Sequence, residues 1–201
     1  MTILNRFIKL WIHSYRQRKT LRTLFGQMVS HVNNCPLESN LKFRKLENYE
    51  LAVLNSTKAV ELDPKNDRYI SNLAVAVAES GEYVKAIALN REAIKINSSN
   101  YVAHSNLGVG LARTGNHIEA IKFLKKAIEL NDSYAEPHYG LGKIYTELQK
   151  NAEAIQSFRK ALDIDPNHYR SLNGVTFPLI KNLQFAEGWK YYEYRWSVKP
   201  G

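Results

Sequence analysis

Between Tyr101 and Tyr134 the apolar positions fall into two helical patterns separated by a polar turn. Val102, Ser105, Asn106 and Val109 form one row and Leu107 and Leu111 another, at the three- and four-residue spacing of a helix that runs to about Arg113. Thr114-Gly115-Asn116 is a turn signal, with glycine placed to close that helix. Ile118, Ile121, Leu124, Lys125 and Ile128 then trace the stripe of a second helix, which Asn131-Asp132-Ser133 ends. The segment predicts two antiparallel helices of about 14 residues joined by a short turn.

The same pattern returns after 34 residues. His104 falls on His138, Leu107-Gly108 on Leu141-Gly142, Ala120-Ile121 on Ala154-Ile155, and Ala127 on Ala161. The alanine register continues backwards to Ala86 and Ala93, then to Ala52 and Ala59, and a β-branched residue follows the first alanine each time: Val53, Ile87, Ile121, Ile155. Small residues two turns apart let helix axes approach closely, near the short end of the usual ~8–10 Å range. One helix pair cannot bury both of its faces, so a fixed period of this length predicts a stacked array.

The spacing of these residues resembles that of tetratricopeptide repeats. The family pattern is W-x2-L-G-x2-Y, then A-x3-F, then P. Residues 135–168 match it at Leu141, Gly142, Tyr145, Ala154, Phe158, Ala161 and Pro166, with His138 in place of tryptophan. Residues 101–134 match through Leu107, Gly108, Leu111, Ala120, Leu124 and Ala127, with His104 in the tryptophan place. Residues 67–100 follow more loosely, with Ile70, Leu73, Ala74, Val77, Ala86, Asn90 and Ala93. The resemblance covers about Leu41 to Trp196. It implies an all-α chain, a right-handed superhelical solenoid of antiparallel helix pairs with a concave groove.

The expected organisation is a basic amphipathic helical segment over 1–32, a degenerate first repeat over 33–66, three clear repeats over 67–168, and a last repeat or capping helices over 169–201. In the degenerate repeat, Leu37–Leu46 and Asn48–Asp63 read as two helices. At the C-terminal end Gly188 replaces the repeat alanine, and the aromatic run Trp189 to Trp196 reads as a helix covering the exposed end of the array. That ending resembles the last repeat of bacterial proteins in which such an array precedes a glycosyltransferase-like domain.

Charge changes the picture in one place. The net charge is +9, and residues 1–32 carry Arg6, Lys9, Arg16, Arg18, Lys19 and Arg22 with no acid. Leu4, Ile8, Trp11 and Tyr15 form one helical stripe there. The segment reads as a cap packed on the first repeat. The alternative is peripheral contact with an anionic membrane, through Arg6, Lys9, Trp11, Arg16, Arg18 and Lys19. Charges interrupt its apolar runs well before the roughly 20 residues that span a bilayer, and no secretory signal pattern is present. A single cysteine, Cys35, excludes an internal disulfide and is compatible with a cytoplasmic location.

No motif for catalysis, phosphate binding or a metal stands out, so the chain reads as a non-enzyme without a cofactor. The basic residues gather in one segment and not along a groove, which argues against nucleic acid. Function is therefore expected in the groove. The resemblance implies that positions 2, 5, 6, 9 and 13 of each unit line it. These are Arg68, Ser71, Asn72, Val75 and Glu79; then Val102, Ser105, Asn106, Val109 and Arg113; then Glu136, Tyr139, Gly140, Lys143 and Glu147. Asn72 and Asn106 hold the same position, and an amide both donates and accepts, so such a column suits an extended peptide backbone. The chaperone-type carboxylate clamp would need Lys and Asn where Ser71, Val75, Ser105 and Val109 stand. The expected function is a scaffold that binds a peptide or helix of a partner protein. The alternative is the substrate-recruiting arm of a bacterial glycosyltransferase whose catalytic domain is absent from this chain.

Overall fold

The computed structural model describes the backbone of residues 36–197 and the side chains of residues 49–193. The N-terminal segment 1–32, with its candidate membrane residues, lies outside the described residues. The chain divides into two units, Met1–Asn48 and Tyr49–Gly201. Among the described residues all regular structure is helical. Helix α1 is Pro36–Leu62. Four hairpins follow: α2 (Asp67–Glu79) with α3 (Tyr83–Ile96), α4 (Tyr101–Arg113) with α5 (His117–Leu130), α6 (Ala135–Glu147) with α7 (Asn151–Ile164), and α8 (Tyr169–Lys181) with α9 (Phe185–Ser197).

One expectation is corrected. Leu37–Leu46 and Asn48–Asp63 do not form two helices; the backbone is one continuous helix from Pro36 to Leu62. The physical reason is in the register. The position equivalent to the turn glycine Gly81 is Glu47, and no glycine or proline stands between Leu37 and Leu62 to break the helix. From α1, Val53 and Val60 reach the cluster of Leu73, Ala74, Val77 and Ala86.

The second helices α3, α5 and α7 each pack between their own first helix and the next one, so the first helices stand side by side along one face. The repeat alanines make this possible. Ala86, Ala93, Ala120, Ala127, Ala154 and Ala161 are all fully buried. The core runs on through the seams: Leu107, Leu111, Ala120, Leu124, Leu141 and Ile144 form one cluster, and Ala154, Ile155, Phe158, Val175 and Leu179 the next. Outside this core, Arg91 pairs with Glu119 and Arg159 with Glu187, so each of these bridges joins successive second helices.

Loop chemistry repeats too. Asn66 accepts from the amides of Arg68 and Tyr69, Asn100 from Ala103, and the His168 ring from Ser171, each at the head of a first helix. Asn97, Asn131 and Asp165 each accept from the amide two residues on and so close the second helices in the same way. The residues between the helices of each pair are left-handed: Gly81 at φ +94°, Gly115 at +83°, Gln149 at +58° and Leu183 at +60°. Glycine takes this conformation freely and a side chain does not. Leu183 is also largely exposed, so its side chain gains little from packing. Leu183→Gly is therefore expected to stabilise the last hairpin by up to about 1 kcal/mol, as strain relief exceeds the added freedom of the unfolded chain. A lower melting temperature for the variant would refute this.

At the C-terminal end, Tyr191 packs on the Phe158 cluster. Trp189 instead stacks on Tyr192 at 5.2 Å between ring centroids and donates its indole N–H to Glu193 at 3.0 Å. Trp189 and Phe185 remain exposed, so the aromatic run covers the core through only part of its length.

Candidate functional site

The row of first helices encloses a cavity of about 580 Å³. Val75 and Glu79 enter it from α2, and Val102, Ser105, Asn106, Val109 and Arg113 from α4. Glu136, Tyr139, Gly140, Lys143 and Glu147 line it from α6. It continues into a second hollow of about 490 Å³ over α6 and α8, which shares Tyr139, Lys143, Glu147 and Arg170 and adds Tyr169, Asn173 and Gly174.

Three residues expected in the groove do not line this cavity. Ser71 is only 2% exposed, and its hydroxyl accepts from Asn100 Nδ2 at 3.3 Å. The same Nδ2 reaches Asp67 Oδ2 at 2.6 Å, so Ser71 belongs to a junction that ties α2 to α4. Arg68 and Asn72 are exposed on α2 outside the cavity lining. The asparagine column thus contributes only Asn106 to the cavity.

Other lining residues were not read from the sequence. Tyr83 and Tyr134 contribute aromatic wall, and Arg170 closes the α8 side. Arg170 holds the second position of its unit, so the 34-residue register carried one unit further would have found it. Asn90 comes from α3, a second helix, and its signal was a polar residue where the repeat pattern calls for a large apolar one.

The walls are apolar and aromatic and the charges alternate. The guanidinium of Arg113 lies 6.0 Å from the Tyr83 ring centre, and that of Arg170 lies 6.0 Å from the Tyr139 ring centre. Glu136 is held by Arg170 at 3.2 Å and by His168 Nε2 at 3.4 Å. The Ser171 amide donates to His168 Nδ1, which leaves Nε2 to carry the hydrogen that Glu136 accepts. Burial pushes the Lys143 amine below its ordinary value; Arg113 adds to this and Glu147 opposes it. Burial, with Glu136 and Tyr101 nearby, pushes the Tyr134 phenol up to about 12.

Glu136 has a pH consequence. Burial would raise its carboxyl, but the hydrogen bonds from His168 and Arg170 and the Arg170 charge outweigh burial and hold it below its ordinary value. A carboxylate depressed in the folded state stabilises fully above its unfolded value and loses that contribution as pH falls through the folded value. Glu136→Gln should therefore melt below the parent at pH 7, and the gap should close as the pH drops below about 4.5. A gap that stays constant from pH 7 to pH 3 would contradict the ion-pair account.

The histidines expected at one repeat position differ in setting. His104 is buried, its Nε2 3.0 Å from Ser98 O. His138 is half-buried, and burial and then Lys160 lower its ring below the ordinary value. Among the described residues no three His, Cys, Asp or Glu side chains converge as metal ligands would. No helix among them is long and apolar enough to cross a membrane.

Tetratricopeptide repeat profiles match residues 42–101 and 100–167, which together span most of the array. The chain belongs to the tetratricopeptide repeat family. Solved structures agree on the fold. The thermophilic repeat protein TTC0263 of Thermus thermophilus shares 19% identity over 82% of this chain and 90% of its own, with a TM-score of 0.69. Pseudomonas aeruginosa PilF shares 23% identity over 82% of this chain and 75% of its own, at 0.65. YrrB, described as a repeat protein with an unusual peptide-binding site, shares 19% identity over 72% and 75%, at 0.56. A comparison with curated proteins found no match. Tetratricopeptide repeats are in general non-catalytic scaffolds for protein–protein interaction, and this chain carries a helical repeat array of that family.

Proposed function

We propose that the protein is a non-catalytic interaction module that holds an extended segment of a partner protein along the groove of its first helices. The observation that carries this reading is the continuous hollow over α2, α4, α6 and α8. Valine and tyrosine walls suit apolar side chains, and the few placed polar groups suit orientation of a ligand. The charged lining is balanced: Glu79, Glu136 and Glu147 face Arg113, Lys143 and Arg170. A groove of balanced sign fits a peptide of mixed charge and lacks the basic track that a phosphate backbone requires. The described peptide-binding site of the similarly folded YrrB is consistent with this use of the array.

The test is selection from a phage-displayed random dodecapeptide library on the full chain. Peptides enriched on the parent should lose about tenfold or more in affinity for the double variant Arg113→Glu/Lys143→Glu, because charge reversal alters the groove while the core is untouched. Lys126→Glu, on the exposed side of α5, should bind them like the parent. Peptides that bind the groove variant and the parent alike would place the binding surface elsewhere.

A further inference from the structure

In the later repeats the groove floor is sealed by one large apolar side chain per seam. A Cβ added at Gly140 would lie 3.0 Å from Leu124 Cδ2, and one added at Gly174 would lie 2.6 Å from Phe158 Cε1. The side chain at the twenty-fourth position of each unit thus presses against the sixth residue of the next. The seam between α2 and α4 carries Asn90 and Asn106 at these two positions.

These two amides are incompletely paired. Asn90 is 2% exposed; its Nδ2 donates to Ala86 O at 3.0 Å, while its Oδ1 is buried with no partner. Asn106 Nδ2 is likewise buried with no partner. Both residues line the 580 Å³ cavity, as do Ala74, Ala78 and Gly110. A buried acceptor and a buried donor left open in one cavity are costly unless a ligand answers both.

We propose that Asn90 and Asn106 form a pocket for a side-chain carboxamide, a glutamine or asparagine of the bound segment. The ligand carbonyl would accept from Asn106 Nδ2, and the ligand NH₂ would donate to Asn90 Oδ1. A carboxylate would set an acceptor against Asn90 Oδ1, and a hydrocarbon would leave both groups open. A side chain suits the position better than the main chain of the partner, because Asn90 stands on α3, a second helix, and is only 2% exposed. This deepens the groove reading above and rests on it.

The experiment repeats the dodecapeptide selection on the full chain and on Asn90→Leu. Leucine is the residue that the next repeat carries there, but Leu124 packs on Gly108 and Gly140 where this seam has Ala74 and Asn106, so Asn90→Ala, which adds no bulk, is selected in parallel and must lose the same enrichment. Glutamine or asparagine should be enriched at one peptide position on the parent and lose that enrichment on Asn90→Leu. In a selected peptide, replacing that residue by glutamate or leucine should weaken binding to the parent about tenfold and barely change binding to Asn90→Leu. Groove-dependent peptides without a carboxamide preference would overturn the pocket and leave the groove reading standing. So would a preference that survives in Asn90→Leu. Failure to enrich any groove-dependent peptide would remove the groove reading and the pocket with it.

Discussion

Phe158→Ala should lower the unfolding free energy of the array by about 3–5 kcal/mol, the usual cost of deleting a fully buried aromatic ring. Phe158 is 1% exposed and packs with Ala154, Ile155, Val175 and Leu179. Its ring also fills the space that the missing Cβ atoms of Gly142 and Gly174 leave, so one side chain closes both the α6–α7 contact and the seam with α8. The two glycines have no side chains to shift into the gap, so any relaxation falls to the partly buried Tyr139, Tyr145 and Tyr191 around it. In a repeat array the loss falls on the neighbouring units first. Amide exchange should speed up across α6 to α9 before it does in α2 and α3, and denaturant melting should shift to lower midpoint. A variant with an unchanged midpoint would mean that the ring does not seal these seams.

Ala120→Leu should cost about 1–3 kcal/mol by the opposite mechanism, overpacking. Ala120 is fully buried, and its carbonyl oxygen lies 3.0 Å from where a Cβ on Gly108 would stand, so α4 and α5 touch nearly backbone to backbone. Three extra carbons must either leave their rotamer or push the helices apart. Separation would also displace Val109 and Asn106, which line the cavity from α4. Thermal melting of Ala120→Leu against Ala120→Ser separates size from polarity: the serine variant should lie much nearer the parent. Equal melting of Ala120→Leu and the parent would show that this face of α5 does not meet α4.

Most of the architecture could be read along the chain because a tetratricopeptide unit is made of local signals. Buried alanines seven residues apart, the Leu-Gly pair, the turn at Gly115 and the asparagine-closed helix ends all lie within one 34-residue span. Their meaning does not depend on distant residues. The same register pointed to Val75, Val102, Asn106, Val109, Arg113, Tyr139 and Lys143, which line a single cavity in the structure.

What the register could not supply depends on the neighbour. Ser71 and Ser105 hold the same position and are both buried, yet only Ser105 lines the cavity, while Asn100, the cap of the following first helix, engages Ser71. Gln149 and Leu183 occupy left-handed turns with no glycine to announce them, since packing of the helices on either side fixes the backbone there. Helix α1 runs unbroken where a turn was expected. Asn90 is the sharpest case. Alone it is a weak match to the repeat pattern; beside Asn106 it becomes an open polar floor. The helix pairs, their period and the alanine contacts could be read along the chain because they follow from residues close in it. Which side chains share the groove and which polar atoms remain unpaired there emerged from the packing, because each answer turns on the residue that the next unit places against it.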